Sequence, residues 1–256
     1  MRRHEPRRVM ALTKAIWGMQ GVRARLLRLL EDAVTACLLL FALSRWAHTR
    51  GMPYAVFLLC GLAPWFYIKE IYTDSPALPM LFGPLLVANK RNVAWLGFCK
   101  AVTALPTLLF WRAAAALCAM LMGYGVAGLY LLPYFLLCTL INGAAQSLLA
   151  SAFSPLAPST LTKGLAITLP ILFWTTPIVW PAYAFSNAMR LFARLNPLYY
   201  LCESLRTMLT AGTLPDWRHT LAFFIVSAAM GVLGYIATAR VWGGARAAAP
   251  APNERE

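Results

Sequence analysis

The residues of this chain best suited to chemistry are polar side chains set singly into apolar stretches. Arg112 falls near the middle of one such stretch. A guanidinium at the bilayer centre costs about 2.5–3.5 kcal/mol on insertion scales, so it must face protein or water. It then reads as a pathway or gating charge; with the span shifted along the membrane normal, it instead snorkels to an interface. Asn142 and Gln146 recur four residues apart, beside Gly143, Ser147 and Ser151 at the same period. This puts small residues on one helical ridge and amides on the next, which makes a close-packing seam. The amides have a second possible role along a hydrated path. Aromatic residues gather at Trp65, Phe66 and Tyr67, at Trp174, Trp180, Tyr183 and Phe185, and at Tyr199 and Tyr200. Such residues form interfacial belts, and the same flat faces can stack on sugar rings.

This is chemistry of recognition and passage rather than of bond making. Three histidines are scattered, only nine acidic residues exist, and no nucleophile–base or metal-ligating constellation emerges. The six cysteines show no CxxC spacing, and four of them lie inside apolar blocks, so neither a disulfide nor a metal site is expected. No GxxxxGK[ST] phosphate loop occurs. Any ATP-driven work therefore needs a second chain.

The elements that position these residues follow from composition. The chain is 60% hydrophobic and 12% charged with a mean hydropathy of +0.62, against roughly 25% charged residues in an ordinary soluble domain. The apolar residues form long blocks, as in a bilayer-spanning bundle. A spanning helix needs about 20 such residues. Residues 54–72, 101–122, 127–153 and 220–239 meet that length. Residues 164–180 form a fifth span kinked by Pro170 and Pro177, and 29–47 a first span with Glu31 and Asp32 at its start. The predicted fold is all-α: six transmembrane helices, an N-terminal amphipathic interface helix, and a re-entrant helical hairpin between 181 and 217, before the last span. The domain reading is a cytosolic N-terminus with interface helix over 1–30, a permease-like membrane domain over 31–240, and a disordered cytosolic tail over 241–256 rich in Ala, Pro and Gly.

Net charge is +14, but the basic residues are spread between apolar blocks without an aromatic-interleaved face. Topogenic charge explains them better than nucleic acid does. Eight basic residues, from Arg2 to Arg28, precede the first span, and Lys90, Arg91, Lys100, Lys163 and Arg240 fall on the same side. Both termini are therefore expected in the cytosol. Residues 8–30 mix Trp17, Leu26, Leu27, Leu29 and Leu30 with Arg23, Arg25 and Arg28. Such a stretch lies along the membrane surface, in contact with lipids, and offers a place for a cytosolic partner to dock.

Several segments resemble, in order and spacing, the permease family of ATP-binding-cassette exporters for polysaccharides and polyol phosphates: capsule, O-antigen and teichoic acid transporters. They are PYAVFLLCGLAPWFY (53–67), LLVANKRNV (85–93), ILFWTTPIVWP (171–181), LNPLYYLCESLR (195–206) and AGTLPDW (211–217). The resemblance implies a homodimer with two ATPase subunits in the bacterial inner membrane. ATP and Mg would be held by the partner, with no cofactor on this chain. It further implies that Asn89, Lys90 and Arg91, with the basic N-terminal residues Arg23, Arg25 and Arg28, couple to the ATPase. Asn196 and Pro197 would mark the break in the external hairpin. A lipid-linked glycan would pass along Trp65, Phe66, Tyr67, Arg112, Asn142, Gln146, Trp174, Tyr183, Tyr199 and Tyr200. The sequence departs from the family pattern at GVRARLLRLLEDAV, before the first span, and at SAFSPLAPSTLTKG, after the fourth. Two other readings stand beside export of a surface glycan: a drug or lipid efflux permease, and a membrane enzyme acting on lipid-linked sugars through a carboxylate such as Glu70 or Asp74.

Overall fold

The computed structural model describes residues 5–19, 21–45, 49, 51–88, 94–124, 127–156 and 158–247. Among them every regular element is helical. In chain order these are α1 (Glu5–Met19), α2 (Val22–Leu43), α3 (Tyr54–Asp74), α4 (Leu78–Ala88), α5 (Ala94–Thr103), α6 (Leu105–Leu121), α7 (Leu132–Ser151), α8 (Pro158–Thr175), α9 (Asn187–Arg194), α10 (Pro197–Ala211) and α11 (Trp217–Ala247). Short 3-10 turns precede α4, α7 and α9.

Four helical stretches are long and apolar enough to cross a membrane: Tyr54–Gly83, Ala94–Leu121, Gly128–Ser151 and Trp217–Arg240. They coincide with the four strongest apolar blocks of the sequence. Their burial ranks them. The apolar window of the first is 89% buried and that of the last 17%, so α3 forms the axis of the bundle and α11 an outer wall. A helix apolar on every side is suited to that central place. Around it, α6 and α7 pack on α3, and α5 and α11 pack on α7.

Glycines set these distances. A Cβ on Gly97 would come within 2.9 Å of the Ala144 carbonyl, and one on Gly234 within 2.5 Å of the Leu149 nitrogen, so α5 and α11 lie backbone-close to α7. The small-residue ridge of α7 faces inward as well. Gly143 leaves room for the Tyr67 hydroxyl, Ser147 shares a 2.7 Å hydrogen bond with Ser75, and the Ser151 hydroxyl donates to the Ser75 carbonyl at 3.1 Å. This is the packing seam that the spacing of small residues predicts.

The stretch over 8–30 divides at Gly21 into α1 and the first turns of α2. Helix α2 buries only Asp32 and Ala36, while Leu26, Leu30, Val34, Leu38 and Phe41 stay exposed along it. Helix α8 passes through Pro170 and ends before Pro177. In the segment before α11, Asn196 and Pro197 lie where α9 gives way to α10. Asn196 Oδ1 accepts from the Leu198 amide at 3.0 Å, and Pro197 takes the first turn, where no N–H is needed. Gly212 closes α10 at φ 64°, a left-handed position suited to glycine. Helix α11 continues to Ala247, and residues 248–256 of the tail lie outside the described residues.

Candidate functional site

One end of α3 carries an ionic cluster. Glu70 and Asp74 are four residues apart and therefore share a helix face. Between them lies the Lys100 ammonium of α5, fully buried, 2.9 Å from Glu70 Oε1 and 2.8 Å from Asp74 Oδ2. A buried ammonium is tolerable only when paired and hydrogen-bonded, and here two carboxylates surround it. Arg28 of α2 grips Asp74 with two parallel 2.9 Å bonds, the bidentate geometry that strengthens guanidinium–carboxylate pairs. That bond raises the Arg28 pKa above its ordinary value although burial opposes it. The Thr107 hydroxyl of α6 donates to Glu70 Oε2 at 2.6 Å. On the next side of α3, Lys69 binds Glu31 and Asp32 of α2, each at 3.0 Å. A cavity of about 190 Å³ opens among these groups, with Phe66 and Thr73 on its wall. The cluster thus ties α2, α3, α5 and α6 together at one level.

Near the middle of α6 the situation is reversed. Arg112 is 3% exposed, and none of its three guanidinium nitrogens has a hydrogen-bond partner among the described residues. The Phe135 ring lies under the guanidinium, its centroid 5.0 Å from Cζ. The amide nitrogen and oxygen of Asn142, the Trp111 indole nitrogen and the Ser227 hydroxyl are also buried without partners among the described residues. Gln146 differs: its Oε1 accepts from the Tyr72 hydroxyl, and its Nε2 approaches the Met230 sulfur at 3.5 Å.

At the other end of α3, Arg206 of α10 is held from four directions. Its Cζ stacks 3.5 Å from the Phe57 ring centroid. Nε and Nη2 donate to the Phe57 carbonyl at 3.3 and 3.2 Å, Nη2 also to the Ile178 carbonyl at 3.3 Å, and Nη1 to Glu203 at 2.8 Å. Gly61 permits this approach, since a Cβ there would fall 3.0 Å from Nη2 and 2.9 Å from the Ile178 Cα. A cavity of about 350 Å³ lies beside the pair, with Met52, Tyr183, Thr207 and Thr210 among its walls.

The aromatic residues of the sequence-based pathway divide between interior and surface. Trp65, Phe66 and Tyr67 are buried within the bundle. Trp65 meets Phe173 edge-on at 5.2 Å, Phe66 meets Trp111 at 4.8 Å, and the Tyr67 hydroxyl donates to the Ala101 carbonyl at 3.2 Å. Trp174 and Tyr183 are about half exposed. Tyr199 and Tyr200 pack on each other and on His219.

Of the coupling residues, Arg23 is exposed, and Arg25 stacks 3.4 Å from the Trp17 ring centroid and donates to the Trp17 carbonyl, joining α2 to α1. Burial lowers the Arg25 pKa. Asn89, Lys90 and Arg91 lie outside the described residues. Sequence reasoning passed over Lys100 as an ordinary topogenic charge and did not single out Arg206. The available signals were a lone lysine at the edge of an apolar block and the i, i+4 carboxylates of α3. No family model matches the chain, and no curated protein matches it.

Proposed function

We propose that this chain is the transmembrane permease subunit of an ATP-driven exporter that moves a surface polysaccharide or lipid-linked glycan across the bacterial inner membrane. In this reading α2 and α8 join the four long apolar helices to make six spans, and α9 and α10 form a re-entrant hairpin on the external side. Two copies assemble with two ATPase subunits of the ATP-binding-cassette type, which hold the ATP and Mg. Both termini face the cytosol.

The observation that carries this reading is the construction of one end of the bundle. Helix α1 is basic and buries Leu12 and Ile16 in one apolar cluster with Leu78 of α4 and Leu96 of α5. Those two helices flank the connection that contains Asn89, Lys90 and Arg91. A push delivered to α1 or to that connection would reach α5 directly, and through Lys100 it would reach Glu70 and Asp74 on the central helix. This suits a subunit that receives mechanical work from a partner. It also speaks against the enzyme reading, since both α3 carboxylates are already engaged by cations and are not free as acid or base.

The test is affinity purification from native membranes after gentle solubilisation, with mass spectrometry of the copurifying chains and an ATPase assay. The expected result is a stoichiometric ATP-binding-cassette subunit with hydrolytic activity. A clean, folded preparation with no ATPase would remove the exporter reading.

A further inference from the structure

The cavity beside Arg206 and Glu203 has chemistry of its own. It lies at the far end of α3 from the ionic cluster: Phe57 and Asp74 are separated by about 25 Å along the helix at 1.5 Å per residue. Its polar wall, from Thr49, Tyr183, Glu203, Arg206, Thr207 and Thr210, is rich in acceptors. All three nitrogens of Arg206 are engaged by protein oxygens. The Thr207 and Thr210 hydroxyls spend their protons on the Glu203 and Arg206 carbonyls at 3.0 and 2.8 Å, which leaves oxygen lone pairs toward the cavity. Glu203 gives one carboxylate oxygen to Arg206, and its side chain remains 31% exposed. The facing surfaces, from Phe57, Met52 and Pro181, are apolar.

A ligand that fits must therefore supply hydrogen-bond donors along one edge and carbon–hydrogen surface along another. An ammonium group would satisfy the donors. The charge pairing decides against it, because the Glu203 carboxylate is already neutralised by a guanidinium 2.8 Å away that cannot leave. A phosphate or carboxylate would meet acceptors where it needs donors. Neutral polyols, and sugar rings above all, have hydroxyl donors around an apolar ring face. At about 350 Å³ the cavity lies within the usual range for small-molecule sites.

We propose that this cavity binds a neutral sugar unit, with Glu203, Thr207 and Thr210 accepting from its hydroxyls and Met52 and Pro181 against the ring face. Arg206 acts as a positioning residue that holds Glu203 in place. For the source of the sugar the proposal rests on the glycan-export reading, in which the site receives a unit of the chain as it leaves the bundle. The chemistry of the cavity does not depend on that reading.

The experiment is saturation-transfer difference NMR on the full-length protein in nanodiscs, probed with the methyl glycosides of glucose, galactose, mannose and N-acetylglucosamine and with choline as the cationic comparator. The wild type should give transfer to the ring protons of at least one glycoside and none to choline. Glu203→Gln and Thr207→Val should each reduce that signal at least fivefold. Ala211→Phe, which fills the rim from an exposed position and leaves the fold untouched, should abolish it. No glycoside signal in the wild type, a signal unchanged by Ala211→Phe, or transfer to choline alone would each overturn the proposal. Copurification of the ATPase is scored on the same samples. An ATPase recovered without sugar binding sinks this site and spares the exporter reading, whereas sugar binding with no ATPase does the opposite.

Discussion

Lys100 and Arg112 occupy the same helical span, Lys100 on α5 and Arg112 near the middle of α6, and both are buried. Their surroundings differ completely. Lys100 has two carboxylates within 2.9 Å, one of which is also clamped by Arg28, while Arg112 has no hydrogen-bond partner for any of its nitrogens among the described residues. A paired buried charge belongs to the architecture, because removing either partner strands the other in a low-dielectric interior. An unpaired one contributes nothing to the packing that an apolar side chain would not. The difference separates a charge whose removal strands its partners from one whose removal strands none among the described residues.

The comparison breaks first at Lys100. Lys100→Met leaves Glu70 and Asp74 buried with their central cation gone, and the expected loss is about 3–5 kcal/mol, read from unfolding of the purified protein in detergent. Adding Glu70→Gln should recover part of that loss, since one stranded charge is then removed. Stability within 1 kcal/mol of wild type for the single variant would deny the cluster its structural role.

A smaller effect is expected at the seam between the two regions. Gly143→Ala places a methyl group against the Tyr67 hydroxyl, which is held by the Ala101 and Thr139 carbonyls. The overpacking should cost about 1–3 kcal/mol, measured in the same way, and Tyr67→Phe in the same chain should relieve only part of it, since the ring carbons at 2.7 and 2.8 Å remain.

The smallest change in stability belongs to Arg112. Arg112→Met loses no hydrogen bond and replaces a desolvated cation with an apolar side chain of similar length, so stability should stay within about 1 kcal/mol or rise. If the exporter proposal holds, membrane insertion and dimerisation are retained in this variant and glycan export by cells carrying it falls at least tenfold. Normal export would remove Arg112 from the candidate site, and a loss of several kcal/mol would place it with Lys100 among the structural charges.

Much of the helical layout was legible in the residues alone. Blocks such as 54–72 and 220–239 announce themselves because hydrophobic length is a local property. The α7 seam was equally plain, since Gly143, Ser147 and Ser151 recur at the helical period. The second class of apolar segment was harder to delimit. Gly21 parts α1 from α2 where the sequence presents one amphipathic stretch, because a basic and leucine-rich run looks alike on either side of such a break. The aromatic residues near Trp65 could be assigned to a helix but not to a side of it. Three consecutive residues point in three directions, and only the central position of α3 buries them all.

What the sequence by itself determined is the class of molecule: helical, apolar in long blocks, with polar residues few enough to be counted and suspected one by one. What only the tertiary structure decided is which of those residues are satisfied. Lys100 lies 26 and 30 positions from its carboxylates, Arg28 lies 46 from Asp74, and Arg206 lies 149 from the Phe57 carbonyl. Whether such groups meet depends on how each helix is rotated about its axis and how closely glycines let the axes approach. Neither quantity is written in the local pattern, because a helix keeps the same periodicity whichever way it is turned.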